Sequence, residues 1–337
     1  MRHHDRARRG AAAPRRAAAG GLAALAAAVL ARPRIVVAQE AFPSRPIRIV
    51  VPFAAGGIAD SYARVLGKAA GERLGQPFVV ENKPGAGTTI GTEAVVRAKP
   101  DGYTLLVGSA PLVTNPGLLE KLPYDAMRDL APVIRISAQG FLVSVHEKQP
   151  YRTFGELVEA ARKAEVPYAS PGNGTLMHLV GQLMNVEYGT RLVHVAYRGS
   201  APAVQDVSAG QVGVLIDPIS TTLPAIRQGR LRALATTNPT RLPALPEVPT
   251  VRELGFPKLE AVPFSGILAP AGTPPEVIAT LNRAFNEAMR QPDVRETIEV
   301  KLQSPLIGGT AEDWGRFLQA ETERWVPLIK RLGIKAE

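Results

Sequence analysis

The chain has 337 residues, 45% hydrophobic but only 5% aromatic, which is long enough for two domains with cores built largely of Ala, Val, Leu and Ile. Its net charge is +10, yet the eight Arg and one Asp of residues 1–38 account for +7 of that and leave +3 for the rest. No stripe of Lys and Arg interleaved with aromatics follows, which argues against nucleic acid as a partner; with no cysteine, disulfides, thiolate zinc sites and a cysteine nucleophile are excluded as well.

Met1–Arg16 is basic, Ala17–Ala31 is an Ala/Leu run, and Val36-Val37-Ala38 offers a small-residue cleavage site before Gln39. The apolar run, about 15 residues, is too short for a comfortable membrane span. This order predicts a secretory signal peptide over residues 1–38, although Arg32 and Arg34 stand between the run and the cut. No later segment carries a run of ~18 apolar residues, so a soluble, exported mature chain is expected.

In the mature chain, Ile47–Val51 reads as a buried strand, followed by Phe53-Ala54-Ala55-Gly56-Gly57 and a helix over Ile58–Leu74 stopped by Gly75. Phe78–Glu81 is the next strand, Asn82–Gly87 a turn, Thr88–Ala98 a helix and Thr104–Gly108 a strand. Further on, Gly140–Val145 is a strand, and Thr153 with Glu156 forms a capping box opening a helix to Lys163. Tyr168–Ser170 ends a strand, Pro171–Gly174 is a tight turn and Leu176–Tyr188 a helix. Then come the strand Leu192–Val195, the helix Ala201–Ala209, the strands Val212–Ile216 and Leu231–Thr236, a Pro-rich loop over Leu242–Val251 and the strand Gly266–Ala269. Two long helices, Pro275–Arg290 and Ala311–Leu332, close the chain. Alternating strands and helices predict an α/β fold with mostly parallel sheets.

One unit occurs twice: a strand running into a Gly-rich turn and a helix, at Ile49–Asp60 and Tyr168–His178. Such turns leave the first helical N–H groups open at the positive end of the helix dipole, which favours an anion, though they are also routine structural features of α/β proteins. Asp60 suits either a dipole partner or a residue that holds the loop or a bridging water. Ser170, Asn173 and Thr175 can cap the helix or bond a ligand, and a lone His178 is expected to be a packing contact. Ser109, Thr114 and Asn115 follow one strand and Asp217 another; strand carboxyl ends are where open α/β sheets bind ligands, but also where ordinary loops lie. His146, His178 and His194 lack metal-ligand spacing, and no nucleophile elbow, P-loop or dinucleotide fingerprint is present, so neither catalysis nor a cofactor is expected.

A collinear series of motifs resembles the Bug family, the periplasmic substrate-binding proteins of tripartite tricarboxylate transporters. It runs from Arg45–Phe53 with Gly56-Gly57 and Asp60, through Val80–Gly87, Pro100–Leu106 and Ser170–Thr175 with His178, to His194–Gly199, Gly229–Ala235, Leu245–Thr250 and Ala269–Pro274. The resemblance implies a type II periplasmic-binding-protein fold of two α/β lobes, 43–143 plus 264–337 and 144–263. It implies a monomeric, non-catalytic receptor, in the periplasm, that grips a small organic carboxylate and meets integral membrane transporter subunits; presentation to a histidine kinase is the alternative. The ligand-binding residues it nominates are Phe53, Ala54, Ala55, Gly56, Gly57 and Asp60 on one lobe and Ser170, Gly172, Asn173, Gly174, Thr175 and His178 on the other, with Ser109, Tyr197 and Asp217 as weaker carry-overs. Departures stand at Ala54-Ala55, where prolines are common, and at Pro171 and Arg198.

Overall fold

The computed structural model describes residues 42–197 and 199–335; the signal peptide expected over 1–38 lies outside the described residues. The strands are β1 (Ile47–Val51), β2 (Phe78–Asn82), β3 (Thr104–Ser109), β4 (Leu130–Ala138), β5 (Phe141–His146), β6 (Val166–Ser170), β7 (Leu192–Ala196), β8 (Val214–Pro218), β9 (Leu231–Thr236) and β10 (Phe264–Pro270). Helices of eight residues or more are α1 (Ile58–Leu74), α2 (Thr89–Val96), α3 (Pro111–Leu118), α4 (Phe154–Lys163), α5 (Leu176–Tyr188), α6 (Ser200–Ser208), α7 (Ile219–Arg227), α8 (Pro275–Ala288) and α9 (Ala311–Leu332).

Local chemistry accounts for most of these boundaries. Four of the five β1 residues are buried, as an apolar run in the middle of a sheet requires. On α1, Ala59, Ala63, Leu66 and Ala70 form the buried face, and the helix stops at Gly75 in the left-handed region (φ 68). Thr153 and Glu156 make both bonds of the capping box at α4. The sequence reading assigns no element over 110–139, where Pro111 opens α3 and Pro132 lies in β4. Both placements are permitted: proline is compatible with the first helical turn, and β4 is a sheet edge.

The strands form two five-stranded sheets of matching order, β2-β1-β3-β10-β4 and β7-β6-β8-β5-β9. In each, one strand (β10 or β5) runs antiparallel to its two neighbours while the other four share a direction. The carboxyl ends of β1, β2 and β3 therefore share one rim of the first lobe, and those of β6, β7 and β8 one rim of the second. The chain passes between sheets twice, at Gln139-Gly140 and between β9 and β10. These connections are bonded side by side: Gly140 N donates to Asn238 Oδ1 at 3.0 Å, and Gln139 N to the Pro263 carbonyl at 3.1 Å. The boundary expected between residues 143 and 144 falls inside β5, which pairs with the second sheet from Phe141 onward. A single apolar cluster runs through both lobes, joining Val50 and Leu106 to Phe141, Tyr168 and, from α9, Trp314 and Trp325.

Candidate functional site

Between β1 and α1 the chain turns through Phe53–Gly57. Asp60, buried in the first turn of α1, reaches back to it. Its Oδ2 accepts the Gly56 N–H at 2.9 Å and Arg64 Nε at 2.9 Å, and its Oδ1 accepts Asn82 Nδ2 at 3.0 Å. Asn82 also donates to the Phe53 carbonyl at 3.1 Å, tying the turn to the end of β2. The Arg64 guanidinium, helped by the Gly56 and Asn82 donors, holds the Asp60 carboxyl down at about 2. Asp60 thus points into the protein and positions the turn. Ala54 to Ile58 are exposed, and the N–H groups of Gly57, Ile58 and Ala59 meet no acceptor among the described residues. That edge is receptive to an anion.

The corresponding turn between β6 and α5 is built differently. Ser170 Oγ, buried, contacts the Gly172 carbonyl at 3.2 Å and His194 Nε2 at 2.7 Å. Gly172 N donates to Ser170 Oγ at 3.3 Å, Gly174 N donates to His178 Nδ1 at 3.0 Å, and Thr175 Oγ1 caps α5 by accepting His178 N at 3.3 Å. A nitrogen that accepts carries no proton, so His178 is neutral with its proton on Nε2. Its ring stacks on His194, with centroids 3.9 Å apart and planes 9° from parallel. Burial, with the second ring beside it, pushes His178 down to about 3; burial alone takes His194 to about 4. In this turn the Gly172 and Gly174 N–H groups donate inward, and the Asn173 N–H at the tip is left open.

A cavity of about 670 Å³ lies between the lobes. The first lobe contributes Ala86, Gly87, Thr89, Asn115, Leu119 and Lys121; the second contributes Gly172, Asn173, Ala196 and Tyr197. Three nominated residues, Gly172, Asn173 and Tyr197, therefore line it. Phe53, Ala54, Ala55, Gly56 and Gly57 stand on the adjoining loop, linked to this wall through Asn82 and through Pro52, which packs against Gly91 of α2. Ser109 closes β3 opposite Ser265 and is not a lining residue. Gly174 touches Leu118 of the first lobe instead. Asp217, expected just beyond a strand, lies within β8, wholly buried and bonded to Thr221 and Thr222; burial raises its carboxyl to about 6.

Sequence reasoning treated Asn82–Gly87 as a plain turn and passed over Lys121. The available signal was the strand-end rule already applied to Ser109 and Asp217, since Ala86 and Gly87 follow β2. Ala86, Gly87 and Thr88 all take left-handed φ (45, 59 and 77), unusual for Ala and for a β-branched Thr.

The Ser170–His194 pair has the spacing of a nucleophile and base, but Ser170 is fully buried against its own turn and His194 at about 4 is a weak base. What the rims offer is recognition: open N–H groups at Gly57–Ala59 and Asn173, with Lys121 on the cavity wall.

Comparison with known proteins gives the same picture. The chain matches the family model described as "Tripartite tricarboxylate transporter family receptor" (TctC) over residues 62–334. It is 33% identical to the periplasmic binding protein BugD, with TM-score 0.70, covering 88% of this chain and 100% of that one. An R. palustris protein solved with adipate is 31% identical (TM-score 0.73, covering 87% and 99%). MatC of Rhodopseudomonas palustris with bound malate is 32% identical (TM-score 0.70, covering 86% and 100%). These relatives are solute-binding proteins rather than enzymes, and the chain belongs to the TctC family of solute-binding receptors, sharing its two-lobed fold.

Proposed function

We propose that the protein is an extracytoplasmic receptor that captures a small organic carboxylate in the interlobe cavity and delivers it to the membrane subunits of a tripartite tricarboxylate-type transporter. The observation that carries this reading is a cavity walled by strand-end loops of both lobes, beside a turn whose N–H groups lack acceptors. Relatives with adipate and malate support the same ligand class. The basic and apolar segment of residues 1–38 supports export to the periplasm. No described helix is long and apolar enough to cross a membrane.

In this reading Gly172, Asn173 and Tyr197 touch the ligand, and the turn Phe53–Gly57 brings its open N–H groups to a carboxylate as the lobes close about the paired connections. Asp60, Ser170, Thr175 and His178 keep the two turns in shape. Charge-assisted bonds in a closed cleft give the affinity.

A thermal-shift panel on protein freed of carried-over ligand by unfolding and refolding tests this. Di- and monocarboxylates, amino acids, sugars and neutral amides are compared. A carboxylate at ~100 times its Kd adds roughly 2.7 kcal/mol and raises Tm by several degrees. Stabilisation by sugars or neutral amides, with none by carboxylates, overturns the reading.

A further inference from the structure

Beyond the end of α9, Gly333 takes the left-handed region (φ 61) and its N–H returns to the Lys330 carbonyl. The Ile334 N–H returns to Ile329, and the Ile334 side chain packs against the apolar cluster that runs through both lobes. This cap turns the chain off the helix axis and carries Lys335 to the rim of the interlobe cavity. There one residue is bonded to both walls. The Lys335 ammonium meets Glu120 Oε1 at 2.7 Å, and Glu120 stands between Leu119 and Lys121, which line the cavity from the first lobe. The Lys335 carbonyl accepts Asn173 Nδ2 at 3.0 Å, and Asn173 lines the cavity from the second lobe.

Among the described residues that carbonyl is the one hydrogen-bond partner of the Asn173 side chain. Gly172 and Gly174, on either side, are held from within by Ser170 and His178, whereas the tip between them is held from outside by the tail. We propose that the tail after α9 is a strap across the mouth of the cavity, with Lys335 as a positioning residue. Its carbonyl fixes the Asn173 tip, whose open N–H belongs to recognition in the carboxylate reading on which this part rests, and its ammonium moors the tail to the first lobe. Both attachments lie in solvent, the Lys335 and Glu120 side chains being 70% and 78% exposed. An exposed pair of flexible side chains holds weakly and is screened by salt, so the strap parts and recloses without disturbing the core. Opening of the lobes about the paired connections requires it to part, because the tail leaves the first lobe and Asn173 belongs to the second.

Amide hydrogen exchange on the ligand-free, full mature chain tests the strap directly. Removal of residues 335–337 is expected to speed exchange at Gly174 by about fivefold, the size of one exposed hydrogen bond and one exposed ion pair together, and to leave Gly56 on the other turn unchanged. Lys335→Glu, which sets like charges against each other, speeds Gly174 exchange by about threefold, and adding Glu120→Lys restores the wild-type rate, a rescue that lost packing does not give. Adipate release, followed by stopped flow, speeds by similar factors in the same variants; added salt speeds it in the wild type and not in the shortened chain. Tm stays within a degree or two throughout. Unchanged Gly174 exchange in the shortened chain, equal acceleration at Gly174 and Gly56, or no rescue by the reversed pair overturns the proposal. A wild type that binds a neutral amide and no adipate sinks the carboxylate reading instead, and the exchange comparison still decides the strap.

Discussion

In the first lobe the turn after β1 is fastened by an ionised carboxylate: Asp60 gathers Gly56, Arg64 and Asn82, and its charge strengthens every bond it accepts. In the second lobe the turn after β6 is fastened by two neutral imidazoles, His178 receiving Gly174 and His194 receiving or donating to Ser170. The two turns occupy the same place in the same strand–turn–helix unit, yet one requires a group to be charged and the other requires two groups not to be. Equivalent topology does not impose equivalent chemistry, and acid distinguishes them.

The largest expected effect follows from that difference. His178 and His194 have folded values near 3 and 4, against about 6.5 unfolded. Between these limits the unfolded chain binds protons that the folded chain refuses, so the stability held above pH 6.5 is lost as pH falls. Asp217 acts in the opposite direction, since its carboxyl near 6 takes up a proton in the fold before it does unfolded. At about 1.4 kcal/mol per pH unit for each proton, and after that offset, the loss from pH 7 to pH 4 is about 4 kcal/mol. Asp60, held near 2, contributes its own loss only below about pH 4. Urea unfolding across this range measures the total, and amide hydrogen exchange at Gly174 and Gly56 divides it. Gly174 should lose protection first; simultaneous loss, or a profile flat to pH 4, breaks the comparison.

The first turn is probed in turn by Asp60→Ala. It removes the acceptor for three donors, one of them an amide held against the end of β2, and is expected to destabilise by about 2 kcal/mol at neutral pH. Arg64→Met, at the half-exposed end of the same pair, is expected to cost less than Asp60→Ala, because the Gly56 and Asn82 donors keep their acceptor. Denaturant midpoints decide between them. Equal effects would mean that the ion pair, rather than the loop bonds, fastens the turn.

How much of this the sequence disclosed depends on how local each signal is. Both turns and their helices were legible because glycines, an apolar run and helix periodicity lie within about a dozen neighbouring residues. The α5 boundaries Leu176–Tyr188 are those expected, with Thr175 capping one end and Gly189 in the left-handed region at the other. The strand expected over Val212–Ile216 begins two residues later, after a turn containing Gly210 at φ 82, and this draws Asp217 inside. α7 went unassigned because Pro224 sits in its interior. The cavity wall was the least legible part. Ala86 follows β2 while Asn115, in α3, and Lys121 follow β3, and no spacing along the chain states that sheet order β2-β1-β3 brings them to one rim. His194 carried no sign of its role in the sequence, because its stacking on His178 depends on β6 and β7 pairing in register, which leaves no local mark.

The smallest effects give the sharpest form of the comparison, because the two glycines nominated for the same role differ in what they tolerate. Gly174 has φ 72, and a Cβ there would lie 3.0 Å from Leu118 Cδ1 across the lobes. Gly174→Ala is therefore expected to cost about 1–2 kcal/mol in backbone strain, and to weaken ligand binding because Leu118 must give way where the lobes meet. Gly57 sits in ordinary extended backbone (φ −79, ψ 174), with its nearest neighbour, the Ala54 carbonyl, 3.6 Å from an added Cβ. Gly57→Ala should leave stability within about 0.5 kcal/mol. The methyl group nevertheless stands beside the open N–H groups of Gly57–Ala59, so carboxylate affinity should fall while the unfolding midpoint holds. Titration and denaturation of the two variants side by side test this. If Gly57→Ala binds as the wild type does, the first turn is scaffold alone, and recognition rests with the second turn and the wall around Lys121.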